Sequence, residues 1–459
     1  MRKLQTVVFL VAITPALAAA QVTFNGSVRA RTESWNWFDQ TDAGDYTFTG
    51  VLARGSASMQ RGNLAWQAEV AVPALLGLPE DAVAPAPLGQ LGLGASYWAA
   101  NGRKQNTAGL FVKQAWLRVG AAPAAEGQSL RVGRFEFIDG LESVSAAPRL
   151  AAVERERIAN RLIGTFGFSH AQRSFEGVQY TNNTEKLNVT AVAFRPTQGV
   201  FNVDGMPGLD VAVGYASFGT RGSVDAKHDA RVFALYYDDR RGGALPQVEI
   251  ATVGGHYLRE FQLGTASADV LAWGALQTGK WGNLDHNANA FALELGVEPA
   301  LPLKPAIRAG YMRSTGDESP DDKDHGTFFQ VLPTPRSYAR LPFYNAMNLD
   351  DRFVSVSLNP GSRVGLRAEA HRLKLTEGAD AWYAGGGAFD AEALGFTARP
   401  ANGETDLATV IDVSAQVRIA KTLSANAYLG RALGGTLMER IYPNGGNATF
   451  GYIELEWRR

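Results

Sequence analysis

Hydrophobic and polar residues alternate with a period of two over residues 408–430. The apolar positions of the first run are Ile411, Val413, Ala415, Val417 and Ile419. After a break at residues 420–422 the alternation resumes with Leu423, Ala425, Ala427 and Leu429. At this spacing, successive side chains lie on opposite faces of a strand. The segment predicts a β-hairpin whose strands, about ten residues each, are long enough to cross a bilayer.

The same alternation recurs along the chain and predicts about 18 strands. They begin near residues 22, 46, 63, 109, 128, 173, 185, 209, 229, 248, 266, 288, 303, 349, 361, 409, 422 and 447. An even number of this size is typical of outer-membrane barrels. A soluble β-sandwich would also contain alternating hairpins, so strand pattern alone does not separate the two folds.

The lengths of the connections distinguish an outer-membrane barrel from a soluble β-sandwich. Short turns are predicted at residues 60–62, 182–184, 299–302, 359–360 and 420–421, and long segments at 74–108, 138–172, 314–348 and 376–408. Short and long connections alternate, as they do in barrels with short periplasmic turns and long extracellular loops. The predicted fold is therefore all-β: one transmembrane antiparallel β-barrel domain over residues 21–459, with both termini in the periplasm.

The first twenty residues predict export. Arg2 and Lys3 precede an apolar stretch at residues 7–13, and three alanines follow at 18–20. This is the pattern of a secretory signal peptide, with cleavage predicted before Gln21. No later segment approaches 18 uninterrupted apolar residues, so no transmembrane helix is predicted. The expected location is the bacterial outer membrane.

Composition adds three points. The chain has no cysteine, so disulfides do not stabilise the exported protein, and its 50 glycines and 23 phenylalanines suit a β-rich chain with many turns. A formal charge of −1 gives no case for nucleic acid as a partner. Most of the 44 basic residues are arginine, which binds carboxylate and phosphate through two parallel hydrogen bonds. A GC-rich genome would produce the same arginine bias.

Charged residues within the strands are predicted to face the lumen, because arginine on the lipid face costs about 2–4 kcal/mol at the bilayer midplane. By alternation these are Arg29, Arg31, Glu33, Arg54, Gln67, Glu69, Arg308, Arg363, Arg367, Glu369, His371, Asp412 and Arg418. Arg118 and Arg131 are weaker candidates, because their segments alternate poorly. The arginines form either a cationic path for anionic solutes or Arg–Glu pairs that brace the wall. The pattern leaves both interpretations open.

Two segments resemble the core of a known family. Residues 130–140 read LRVGRFEFIDG and residues 161–178 read RLIGTFGFSHAQRSFEGV. Both resemble the conserved core of the alginate export domain family. The resemblance implies an outer-membrane barrel of the same strand count, and the best-studied member exports the polyuronate alginate through an Arg-rich pore. It also implies that Arg131, Arg134, Arg161, Arg173 and Glu176 belong to the pore wall or constriction.

The segment 138–172 is longer than a connection without a structural or functional role usually is. We expect it to fold inward and narrow the lumen, with Glu154, Arg155, Glu156, Arg157 and Arg161 as its charges. The alternative is a short surface helix at residues 151–160 with these charges in solvent.

No catalytic residue, metal or cofactor is predicted. The acidic segment 317–324 is rich in the oxygen ligands that calcium prefers, but its spacing does not match an EF-hand and Pro320 interrupts it, which favours a solvated loop. The six histidines lack metal-ligand spacing, and neither a G-x-S-x-G motif nor a phosphate-binding loop is present. A lipid-modifying barrel enzyme is the alternative from another functional class.

The function predicted from the sequence is an outer-membrane channel for anionic saccharides, similar to polyuronate export porins. The alternative is an uptake porin for small anions or sugars. The expected partners are outer-membrane lipid and an anionic saccharide or another small anionic solute. Polymer export would also require a periplasmic polysaccharide synthesis complex.

Overall fold

A computed structural model describes residues 22–38, 42–85, 88–242, 246–332, 340–385, 398–443 and 445–459. The predicted signal peptide and its cleavage site lie outside the described residues. Within them, eighteen long strands pair with their neighbours in antiparallel fashion, and β1 pairs with β18 from Ser27↔Arg458 to Asn36↔Thr449. This last pairing closes the sheet, so the predicted barrel is confirmed.

The strands of the barrel are β1 (Thr23–Asn36), β2 (Asp45–Arg61), β3 (Leu64–Leu76), β4 (Phe111–Gly120), β5 (Gly127–Phe135), β6 (Phe175–Asn183), β7 (Leu187–Pro196), β8 (Val211–Thr220), β9 (His228–Asp239), β10 (Val248–Leu263), β11 (Ala266–Trp281), β12 (Leu284–Glu298), β13 (Ala306–Ser314), β14 (Leu349–Leu358), β15 (Val364–Leu375), β16 (Asp406–Arg418), β17 (Leu423–Gly434) and β18 (Asn447–Arg458). The largest error in a predicted start is at β12, which begins at Leu284 rather than near residue 288.

The connections contain the remaining secondary structure. The helices are α1 (Leu93–Ala100), α2 (Pro148–Val153) and α3 (Thr436–Ile441), with a π-helical turn at Glu154–Ile158 and a 3₁₀ turn at Asp42–Gly44. Short strands lie at Val83–Ala84, Gly89–Gln90, Thr107–Ala108, Asp324–His325, Ala381–Tyr383 and Ala398–Pro400. Among the residues that the structure describes, no helix is long and apolar enough to cross a membrane.

The two faces of the barrel follow the predicted alternation. On β1, Val28 is exposed on the outer face, whereas Arg31 and Glu33 are buried on the inner face. On β18 the outward Ile453 is exposed and the inward Glu454 is buried. Apolar outward side chains suit contact with lipid, and the polar side chains meet in the interior.

Loops fill the extracellular half of the lumen. Phe38 stacks on Tyr442 with ring centroids 5.2 Å apart and meets Phe343 edge-on at 5.4 Å. The connection between β13 and β14 joins the connection between β5 and β6, because Leu332 N–H donates to the Leu162 carbonyl at 2.7 Å. Within the described residues, the extracellular half therefore has a packed apolar core of its own.

Candidate functional site

The connection at residues 136–174, which we call the inward loop, lies inside the barrel. Arg29 of β1 donates from Nη1 to the Gly167 carbonyl at 2.7 Å. Far around the barrel, Arg231 of β9 donates from Nη1 to Glu142 Oε1 at 2.8 Å. Only a segment within the lumen can reach such distant strands, so the predicted inward folding is confirmed. The proposed surface helix does form, as α2 and the π-helical turn, but it lies in the lumen.

Glu294 of β12 is the central anchor of the inward loop. Its carboxylate accepts from Arg157 Nε at 2.8 Å and from Arg161 Nη2 at 2.9 Å, both from the loop. Arg308 of β13 approaches the same carboxylate at 3.5 Å and also pairs with Asp269 at 2.7 Å. Glu294 and Arg161 are each 1% exposed at their side chains. Three guanidinium groups thus converge on one buried carboxylate.

A second buried cluster lies at the seam where β1 meets β18. Arg31 donates from Nε to Glu33 Oε1 at 2.8 Å and from Nη1 to Glu454 Oε2 at 3.2 Å. Its Nη2 donates to the Phe168 carbonyl of the inward loop at 2.6 Å. His170 of the same loop lies 3.2 Å from Glu33 Oε1. The cluster therefore joins the closing seam to the loop.

Arg54 and Glu69 form a third brace, as the bracing interpretation predicts. Arg54 pairs with Glu69 and donates from Nη2 to Glu136 Oε1 at 3.0 Å. Lys113 lies 3.3 Å from the same Glu136 oxygen and is fully buried. No sequence pattern indicates Lys113, because β4 carries an irregularity there: Glu69 pairs with Gln114 and the next residue, Val70, pairs with Val112.

Arg118 and Arg131 are direct register partners on β4 and β5. Arg118 Nη2 donates to Gln60 Oε1 at 2.9 Å, and Arg131 donates to Gln179 Oε1. Neither makes an ion pair with a described residue. They line a cavity of about 280 Å³ together with Glu136 and Glu142. Like charges directly opposite each other are destabilising, but two arginines face two glutamates here, so this cavity carries no excess of positive charge.

A larger cavity of about 650 Å³ lies in the periplasmic half, between the inward loop and strands β14 to β18 and β1. Its described charges are Arg29, Arg155, Arg340, Arg367 and Arg458, against Glu156, Glu454 and Glu456. A neighbouring cavity of about 490 Å³ shares Arg29, Glu456 and Arg458 and adds Arg54 and Arg459, against Glu69 and Glu136. Arginine outnumbers glutamate in both linings. Sequence reasoning missed Arg340 and Arg458, which lie in a long loop and at the end of the last strand.

Two residues carried over from the family resemblance do not face the lumen. Arg134 follows the exposed, outward Leu130 and Val132 at intervals of two, so it belongs to the outer face. It donates from Nε to Glu176 Oε1 at 3.0 Å and from Nη2 to the Met206 carbonyl at 2.7 Å. The prediction that Arg134 and Glu176 line the pore is therefore wrong: a motif identifies residues but not the face on which they lie.

Other predicted positions fall at the rim or are enclosed. Arg363 precedes β15 and Arg418 ends β16; both are exposed at the periplasmic rim, where Arg418 N–H donates to the Arg363 carbonyl at 2.7 Å. The turn before β15 is longer than predicted, which leaves Arg363 outside the strand. Arg161 and Arg173 are 1% and 0% exposed. They therefore stabilise the inward loop and do not meet solute.

The acidic segment 317–324 makes hydrogen bonds within its own turns. Among the residues that the structure describes, no three carboxylates or imidazoles lie close enough together to hold an ion. Asp317 accepts from the Ser319 N–H at 3.1 Å, and Asp322 accepts from the Asp324 N–H at 2.7 Å. These carboxylates stabilise local turns.

Glu154 of the inward loop makes the stability of the barrel depend on pH. It is 1% exposed, and Oε2 accepts from the Ser145 N–H at 2.9 Å. Burial, reinforced by the charge of Asp229, raises the pKa of Glu154 to about 7 from a usual value of 4.5. The folded barrel therefore binds this proton more tightly than the unfolded chain, and its stability falls as the pH rises from 4.5 to about 7.

We expect Glu154→Gln to raise the thermal unfolding temperature in detergent above that of the wild type at about pH 8, where the buried carboxylate is ionised. At about pH 4 both forms are neutral at this position, and the difference should vanish. An equal shift at both pH values would show that the ionisation of Glu154 is not its cause.

Residues 20–436 match the model of the alginate export family. The chain belongs to that family. Comparison with curated protein sequences gives no significant match.

Several solved porins share the fold of this alginate export family barrel. A BenF-like porin from Pseudomonas fluorescens Pf-5 aligns with a TM-score of 0.63 at 10% identity, over 95% of this chain and 98% of the porin. OpdK from Pseudomonas aeruginosa aligns with a TM-score of 0.58 at 10% identity, over 95% and 99%. OccK2 from the same species, solved in complex with glucuronate, aligns with a TM-score of 0.59 at 10% identity, over 96% and 98%. The family and the shared fold identify this alginate export family member as an outer-membrane channel.

Proposed function

We propose that the barrel is a passive channel for small acidic saccharides, of the size of one or two uronate residues. The excess of arginine in the two periplasmic cavities carries this proposal. A carboxylate that enters meets guanidinium groups in a partly desolvated lumen, where charge–charge attraction is stronger than in bulk water. The glutamates between the arginines limit the affinity, so that a solute binds and then leaves.

The arginines of the lumen differ in how accessible they are to a solute. Arg155 is exposed to the lumen at the tip of the inward loop and makes no ion pair with a described residue. Arg367 pairs with Glu369 and Glu156, and Arg340 lies 3.5 Å from Glu369. By contrast, Arg31 and Arg161 are buried. We therefore assign solute contact first to Arg155 and bracing to Arg31 and Arg161. Arg54 and Arg367 line a cavity and also pair with glutamates, so both interpretations apply to them.

The dimensions favour a small solute over a polymer. The larger cavity has about 650 Å³, and the inward loop is held to β1, β9, β11, β12 and β15 by hydrogen bonds and ion pairs. A polyuronate chain could pass only if this loop left the lumen. The family is named for the export of a polymer, whereas a cavity of about 650 Å³ suits a small solute. The two observations therefore predict different solutes. The complex of the related fold OccK2 with glucuronate agrees with the small-solute proposal.

Planar-bilayer recordings test the proposal. We expect anion selectivity in a salt gradient, and block of the current by glucuronate at concentrations at which glucose has no effect. Arg155→Gln should lower the anion-to-cation permeability ratio about fivefold, because one charge about 4 Å from an ion contributes about 1 kcal/mol even in water. Arg195→Gln is the matched control, since Arg195 lies on the outer face and pairs with Asp210.

Cation selectivity of the wild type, or block by glucose equal to that by glucuronate, would contradict the proposal. Block by inorganic phosphate equal to that by glucuronate would favour the alternative, an uptake porin for small anions. Rapid passage of long oligouronates would favour polymer export.

A further inference from the structure

Basic residues cluster on the outer surface of the barrel, near the extracellular ends of β13, β14, β15 and β17. We call this cluster the outer basic patch. It consists of Arg313, Arg352, Arg372, Lys374 and Arg431, all of them exposed. Each follows or precedes an outward residue at an interval of two, as Arg352 does Val354 and Arg431 does Leu429. The patch is therefore on the face opposite the channel, where the barrel meets the membrane.

The residues of the patch are adjacent across the strands. Arg352 and Arg372 are direct register partners on β14 and β15. On the next outward rung, Arg313 pairs in register with Asp350, and Asp350 with Lys374. Two like charges directly opposite each other are destabilising. Such an arrangement is expected where an anion from outside the chain neutralises them.

The carboxylates within the patch do not balance its charge. Arg372 pairs with Asp406 at 2.6 Å, and Arg352 lies 3.4 Å from Asp350. Asp350 also accepts a hydrogen bond from the Tyr311 hydroxyl at 2.6 Å. Within the described residues, Arg313, Lys374 and Arg431 make no ion pair. Arg352 remains 69% exposed at its side chain and Arg372 45%.

The other side of the barrel lacks this excess. At the extracellular ends of β7 and β9, Arg195 pairs with Asp210 at 3.3 Å and Arg240 with Asp238 at 2.6 Å. The Tyr236 hydroxyl on the same side donates to Glu249 at 2.5 Å. Arg195 and Arg240 thus each have their own carboxylate. The unbalanced positive charge is thus a property of one sector, not of the whole rim.

The depth of the patch corresponds to the lipid headgroups of the outer leaflet. The long loops mark the extracellular end of the barrel, and the patch lies at that end of its strands. Apolar outward residues follow toward the periplasm, including Val354 and Val356 on β14 and Leu366 and Ala368 on β15. Arginine is tolerated near the interface much better than at the midplane.

We propose that the outer basic patch binds the phosphate groups of a phosphorylated glycolipid in the outer leaflet. Guanidinium groups recognise phosphate through charge-assisted, often bidentate hydrogen bonds. Arg352 and Arg372 hold one phosphate between their strands, and Lys374 and Arg313 extend the contact toward the headgroup. The acyl chains of the lipid then lie against the apolar residues below. This site does not depend on what the channel conducts.

Binding of lipid A to the purified full-length barrel tests the inference. We compare bisphosphorylated lipid A with the same lipid after enzymatic removal of both phosphates, using native mass spectrometry and thermal unfolding in detergent. We expect the wild type to bind the phosphorylated form at least about tenfold more tightly. The combined variant Arg352→Gln, Arg372→Gln, Lys374→Gln should lose at least about tenfold in affinity, since each charge-assisted contact removed has an effect of this order.

The combined variant Arg195→Gln, Arg240→Gln is the matched control, and its lipid affinity should equal that of the wild type. Arg352→Lys with Arg372→Lys keeps the charge and should retain most of the binding. If the triple variant does not fold, Arg431→Gln and Arg372→Gln are measured singly, each with a smaller expected loss.

Equal binding of phosphorylated and dephosphorylated lipid by the wild type would overturn the inference. So would wild-type affinity in the folded triple variant or in both single variants. A surface for a second copy of this chain would instead give oligomers that are insensitive to phosphate removal, which also overturns it. Channel selectivity should be unchanged in the triple variant, so this test is separate from that of the proposed function.

Discussion

Replacing Glu294 by glutamine will detach the inward loop from the barrel wall and destabilise the folded barrel by about 3–5 kcal/mol. The substitution leaves three guanidinium groups, those of Arg157, Arg161 and Arg308, around a neutral amide. A buried charge that loses its partner retains the full cost of desolvation. We expect the loop to relieve this cost by moving Arg157 and Arg161 toward water and away from the wall.

Two measurements follow from this expectation. Urea unfolding in detergent micelles should show the loss of stability, and bilayer recordings should show a larger and noisier conductance, because the loop occupies the lumen. Glu298→Gln is the control: Glu298 is in the same strand and pairs with Arg149, but 51% of its side chain is exposed. An exposed pair contributes at most about 1 kcal/mol. Wild-type conductance in the Glu294 variant would show that the loop is held by other contacts.

The strands could be predicted from the sequence because their signal is local. A period of two can be recognised within one strand, without knowledge of distant residues. The alternation of short and long connections distinguishes the periplasmic end of the barrel from the extracellular end. Errors occurred where local geometry breaks the period. Lys113 was missed at the irregularity in β4, and Arg363 was placed in a strand that begins one residue later.

The site was only partly predictable, because its contacts join residues far apart in the chain. Glu142 meets Arg231, and Arg161 meets Glu294, more than 80 positions away in each case. Neither pairing leaves a pattern in the sequence. The family resemblance identified Arg134 but not its face, and the sequence around it alternates too poorly to predict one. The structure places Arg134 on the outer face together with Leu130 and Val132.

Arg31→Met should be about as damaging as the change at Glu294, with its effect at the closing seam. Removal of Arg31 leaves the buried carboxylates of Glu33 and Glu454 without their shared guanidinium, and it frees the Phe168 carbonyl of the inward loop. Breaking a buried pair in this way costs about 3–5 kcal/mol. Because Arg31 and Glu454 are register partners on β1 and β18, the loss weakens the strand pairing that closes the barrel.

Heat-modifiability on gels and urea unfolding measure this loss, and the double variant distinguishes its cause. Arg31→Met combined with Glu33→Gln removes one of the two carboxylates that lose their partner. We expect this double variant to recover part of the lost stability, since neutral replacement of both partners costs far less than removal of one. Thr32→Ala is a control on the same strand, because Thr32 faces outward and bonds only Thr49 among the described side chains. If the double variant were less stable than Arg31→Met alone, the carboxylates would not be the source of the instability. The cost would then arise from lost packing of Arg31 against Phe168, whose ring centroid lies 3.8 Å from the guanidinium carbon.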